Sequence, residues 1–152
     1  MTSCNNDVVF RGDTRRNMCA LTIDDGPLGH DPLCTLPQIT LILKLYNARA
    51  TFFLVWSRLK AMFAHERARY MGMLLQDGHE VGVHFAGRWG CCQDEDALIA
   101  EAREMKEEFE VLFRRKLLYV RPAGGFARHS TTLRMQQELQ LTTVIGTAYP
   151  FD

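Results

Sequence analysis

The chain has 152 residues, the length of one ordinary domain, and its 47% hydrophobic and 24% charged content excludes a disordered polypeptide. Lysine plus arginine balances aspartate plus glutamate at 18 each, so no global field selects nucleic acid or an anionic membrane. No stretch approaches the roughly 18 uninterrupted apolar residues of a membrane span, and the opening MTSCNNDVVFRGDTRRN lacks the apolar core of a signal peptide; a soluble, unexported chain with no nucleic-acid partner is expected.

In chain order, MCALTID (18–24) has the apolar run of a buried strand, and TLPQITLILKLYN (35–47) has helical spacing. ATFFLV (50–55) is a second strand, AHERARYMGMLLQDG (64–78) a helix stopped at Gly78, and HEVGVH (79–84) a third strand. After QDED, Leu98, Ala102, Met105, Phe109 and Leu112 step by four and three and make one apolar stripe. Acids open that helix and Arg114, Arg115 and Lys116 follow it, as the helix dipole prefers, so its charge run is expected to be a solvated face. LLYVR (117–121), the helix STTLRMQQELQ (130–140) and TTVIGT (142–147) complete the series. Strands alternating with helices predict one α/β domain over residues 1–152, with a mainly parallel sheet, open or rolled into part of a barrel. The five cysteines, Cys4, Cys19, Cys34, Cys91 and Cys92, form no Cys-x-x-Cys pair, which argues against a disulfide framework; reduced thiols are expected, with Cys19 in the core.

In parallel α/β architectures the loops after the carboxyl ends of the strands form the ligand-binding face. That rule gathers Asp24 and Asp25 from the first strand, His84 from the third and Arg121 to Gly125 from the fourth. Adjacent carboxylates repel, so one takes up a proton or finds a cation, and a divalent metal or Arg121 would serve. The pair makes sense if one acid binds a cation and the other stays a base. A bound zinc would polarise a carbonyl and acidify its water, while the N–H groups of Gly124 and Gly125 face an oxyanion. Taken singly, each feature also fits a plain role: an exposed turn, a structural histidine, a common Arg-Pro.

The order LTIDDGP, ATFFLV, DGHEVGVH, VRPAGG resembles the polysaccharide deacetylases, the NodB-like domain of carbohydrate esterase family 4, from about Val8 to the last residue. The resemblance implies a distorted (β/α) barrel and metal-assisted removal of acetyl groups from N-acetylglucosamine polymers such as chitin or peptidoglycan. Carried over by position, it makes Asp24 the catalytic base, Asp25 and His84 ligands of a divalent metal, zinc for preference, and Arg121 the residue that holds the base. It also makes Gly124 the backbone donor to the oxyanion, where the family has tyrosine. Family members are commonly secreted or wall-associated.

Two departures go with the resemblance. Where the family has a second metal histidine four residues after the first, this chain has Arg88, which cannot ligate zinc. His30, Asp94 and Cys91 are the nearby substitutes, with His30 the foremost; His79 is expected to be structural. Alternatively Arg88 pairs with Asp25 as a permanent cation in place of the metal. The family's Leu-x-His, whose imidazole protonates the leaving amine, has no match before Asp152, and His129 is expected to be a loop or cap residue. The barrel is thus expected to be incomplete at its C-terminus, with an open edge beside TTVIGT that would suit a protein partner. Two functions follow: a hydrolase on an acetamido sugar polymer, or a degenerate domain that binds carbohydrate or protein without chemistry.

Overall fold

In a computed structural model, residues 8–9, 19–27, 36–87 and 92–146 are described. Six strands, β1 (Val8–Val9), β2 (Leu21–Gly26), β3 (Ala50–Val55), β4 (Glu80–His84), β5 (Tyr119–Arg121) and β6 (Thr142–Val144), form one sheet in the order β1-β6-β5-β4-β3-β2. Every neighbouring pair is parallel. Between them run α1 (Leu36–Leu45), α2 (Trp56–Lys60), α3 (Ala64–Gln76), α4 (Glu95–Phe113) and α5 (His129–Leu139). This is the βα succession of a (β/α) barrel, not closed among the described residues. No helix among them is long and apolar enough to cross a membrane.

Strand periodicity sorts the side chains into two layers. Phe52, Leu54, Val81, Val83 and Val120 share one buried cluster with Leu43, Leu74, Met105 and Met135 from the helices. The alternate residues in register, Phe53 beside Gly82, Val55 beside His84 and His84 beside Arg121, belong to the opposite face. Thr22 pairs with Thr51 on that same face, which places Asp24, two residues on, there as well.

Three expectations need correction. β1 pairs with β6 at Val8↔Thr143 and Val9↔Val144, so the edge foreseen beside TTVIGT is occupied and the edge strands are β1 and β2. A two-residue strand is too short to leave a periodic signal. Because β2 has a neighbour on one side only, its residues are exposed or half-buried rather than core, and Cys19 just before it is exposed. In α4 the stripe Leu98, Ala102, Met105 and Phe109 is buried together with Ile99, but Leu112, in the last turn, is 45% exposed.

The acidic side of α4 is also more than a solvated face. Glu104 accepts from Trp56 Nε1 (3.0 Å) and Lys60 Nζ (2.7 Å), and Glu101 accepts from the Ser57 N–H (3.1 Å), which fastens α2 to α4. Arg67 of α3 grips both oxygens of Glu108, Nε to Oε1 at 2.5 Å and Nη2 to Oε2 at 3.0 Å, and lies 5.4 Å over the Trp56 ring. Bidentate pairing of this kind fixes orientation as well as distance.

Candidate active site

Arg121 organises the upper end of the sheet. It is 3% exposed, with its guanidinium carbon 4.3 Å over the ring of Phe53. Nη1 donates to Asp24 Oδ1 at 2.8 Å and to Thr22 Oγ1 at 2.7 Å, and Nε donates to the Val144 carbonyl at 3.2 Å. β5 and β2 stand three strands apart, roughly 14 Å across a flat sheet, farther than an arginine side chain reaches. The sheet therefore curls into a trough, and Arg121 ties its walls together. The Phe53 ring occupies its place because position 82 is glycine: a Cβ there would lie 2.7 Å from two ring atoms and 3.0 Å from the Tyr119 carbonyl.

Asp24 and Asp25 are adjacent in sequence and differ in environment. Asp24 is half-buried, and Arg121 holds it through Oδ1 and not through Oδ2. In a regular strand Asp25 would turn to the helix side. Instead the β2–β3 register shifts between Ile23 and Gly26, and Asp25 has φ +67, an uncommon conformation for a residue with a side chain. Its side chain is 64% exposed. Arg58 of α2 donates from Nη1 to the Asp25 carbonyl at 2.5 Å, and the same nitrogen lies 3.5 Å from Asp25 Oδ1. Nothing in the sequence pattern points to Arg58, because a five-residue helix directly after a strand carries no readable period.

His84 is buried, and its Nδ1 lies 2.8 Å from the Arg121 carbonyl. A carbonyl only accepts, so Nδ1 is the protonated nitrogen and Nε2 keeps its lone pair; metal-binding histidines are oriented in this way. A carboxylate and a tautomer-fixed imidazole are donor types that a divalent ion of the zinc type takes, and Asp25 and His84 supply one of each. Among the described residues no cluster of three potential ligands forms. Arg88, His30 and Cys91 lie outside the described residues, so the pairing of Arg88 with Asp25 does too; the cation observed beside Asp25 is Arg58.

The other candidates have structural tasks. Asp94 is the N-cap of α4, accepting from Asp96 N at 2.9 Å and Ala97 N at 3.4 Å, so it is no ligand substitute. His79 is buried at the far end of the sheet and accepts from the Ala50 N–H through Nδ1 at 3.3 Å. Burial pushes its pKa below the ordinary value, with Asp77 opposing and Arg49 assisting. His129 opens α5 and is exposed. In the turn Ala123–Gly125, the Gly125 N–H closes on the Pro122 carbonyl at 3.0 Å, so it does not serve an oxyanion. That leaves Gly124, exposed and at φ +65, as the candidate backbone donor.

Residues 11–144 match the family described as polysaccharide deacetylase. A peptidoglycan-N-acetylglucosamine deacetylase of Bacillus cereus is 31% identical over 121 residues, which cover 78% of this chain and 52% of that protein. The chain thus spans about half the length of this relative. A mutant of a Bacillus anthracis CE4 family pseudoenzyme with restored enzymatic activity superposes with a TM-score of 0.73 at 26% identity, over 91% of this chain and 47% of that one. A family 4 acetyl xylan esterase from Clostridium thermocellum, solved in complex with a cobalt ion, has a TM-score of 0.64 at 22% identity, over 82% of this chain and 55% of its own.

Proposed function

The chain belongs to the polysaccharide deacetylase family, and from that premise we propose that it hydrolyses the N-acetyl groups of an N-acetylglucosamine polymer. One observation carries the reading: two neighbouring carboxylates have been given different surroundings, Asp24 pinned through Oδ1 by a buried arginine and Asp25 turned out to the rim. The name of the Bacillus cereus relative supports a peptidoglycan-type polymer ahead of chitin.

Hydrolysis of the acetamide forms a C–O bond from water, breaks the C–N bond and sends one water proton to the leaving amine. In this assignment Asp24 accepts that proton at Oδ2 and passes it to the amine nitrogen as the C–N bond breaks. Arg121 holds Asp24 in line and, through its own carbonyl, holds His84. The Gly124 N–H stands by for the carbonyl oxygen as it becomes negative. A divalent ion held by Asp25 and His84 would supply Lewis acidity toward the amide carbonyl. The test is acetate release from N-acetylglucosamine oligomers and from peptidoglycan. Release that persists unchanged in an Asp24→Asn protein removes the role of Asp24.

A second reading, binding of such a polymer without chemistry, is favoured by Arg88 at the position of a family ligand and by the arginine already beside Asp25. Saturable oligosaccharide binding with no acetate formed, in metal-supplemented buffer, would select it.

A further inference from the structure

Asp25 already has a cation of the chain's own. Because Glu101 and Glu104 anchor α2 through the Ser57 N–H, Trp56 and Lys60, the position of Arg58 at the rim is fixed from behind. From there its Nη1 reaches across to β2, bonding the Asp25 carbonyl at 2.5 Å and lying 3.5 Å from Oδ1. The carbonyl bond braces the backbone at φ +67, and the guanidinium sets a permanent positive charge within ion-pair range of the carboxylate.

Resting on the reading that Asp25 and His84 hold a divalent cation, we infer that Arg58 is a positioning residue that competes with that cation for the Asp25 carboxylate. The brace and the competition are separable: the first needs only a donor, the second needs charge. A single positive charge and a divalent ion about 5 Å apart in water, screened at ordinary ionic strength, repel enough to weaken binding about three- to tenfold. Ion affinity at this rim is therefore set by Arg58 as well as by the number of ligands.

The experiment is titration of the full chain with cobalt(II) alone, followed by its visible absorption, for the parent, Arg58→Gln, Arg58→Lys and His84→Ala proteins, with far-UV circular dichroism to confirm folding. Arg58→Gln is expected to bind cobalt about three- to tenfold more tightly at ordinary ionic strength, with the gap widening at low salt and closing as salt rises. Arg58→Lys stays near the parent because it keeps the charge, and His84→Ala loses the signal. Equal or weaker binding by Arg58→Gln, with His84-dependent binding intact in the parent, overturns the competition while leaving the metal reading in place. No His84-dependent binding in either the parent or Arg58→Gln overturns the metal reading and the competition with it.

Discussion

Two arginines in this molecule lie over aromatic rings and bond a carboxylate, and they do opposite things with it. Arg67 takes both oxygens of Glu108 and gives its remaining nitrogen to the Leu59 and Met62 carbonyls. Arg121 takes one oxygen of Asp24 and spends its other bonds on Thr22 and Val144. The two carboxylates are equally exposed, 28% each, so neither exposure nor the presence of an arginine separates them. What differs is unused bonding capacity. Glu108 is consumed in docking α3 on α4, whereas Asp24 keeps an oxygen that Arg121 does not take.

The harshest test of that contrast is Arg121→Ala, which removes the buried guanidinium from the ring of Phe53, leaves the half-buried Asp24 carboxylate unpaired and cuts the tie between β2 and β6. A stability loss of about 3–5 kcal/mol in a denaturant titration is expected, with acetate release lost. Asp24→Asn should lower acetate release about 10²- to 10⁴-fold and cost about 1–2 kcal/mol in the same titration, since the amide oxygen still accepts from Arg121 while the buried guanidinium loses its counter-charge. Glu108→Gln should share only the stability cost, about 1–2 kcal/mol, and leave acetate release alone. If Glu108→Gln impaired acetate release as much as Asp24→Asn did, the contrast would be wrong.

The smallest effects are in the pH dependence of folding. The Glu95 carboxyl is held below its usual 4.5 by hydrogen bonds from Ser130, Arg134 and Thr131. A folded-state pKa below the unfolded one gives stability above the unfolded value that is lost as pH falls through the folded one, so Glu95→Gln should flatten the decline below about pH 4.5. Burial pushes Glu101 the other way, against the bond from Ser57. Its ionisation opposes folding as pH rises through the folded value, and Glu101→Gln should remove that small loss near and above pH 4.5 in urea titrations.

Much of the sheet was legible because β3 and β4 are short apolar runs bounded by turn residues and separated by amphipathic stretches; ATFFLV was bounded to the residue. The rule that parallel strands deliver their chemistry at their carboxyl ends gathers Asp24, His84 and Arg121, and Arg121 bonds Asp24 through its guanidinium and His84 through its carbonyl. Pattern alone does not distinguish a central strand from an edge strand, which is why Cys19 was misplaced. It was equally silent on β1, whose two residues are recruited by β6 across most of the chain. Arg58 is hidden for a related reason: its partner is the backbone carbonyl of Asp25, and although aspartate tolerates the left-handed conformation, pattern alone does not announce the register shift that goes with it.

Gly82 sits two residues before His84 and touches none of the reacting groups, yet a single added carbon there would collide with Phe53. Phe53 would have to tilt, and the guanidinium resting on its ring would ride with it, carrying Asp24 out of alignment and loosening the walls of the trough. The side chain that position 82 lacks leaves room for the Phe53 ring and so sets the height at which Asp24 stands, and drift there can silence the rim without altering any residue on it.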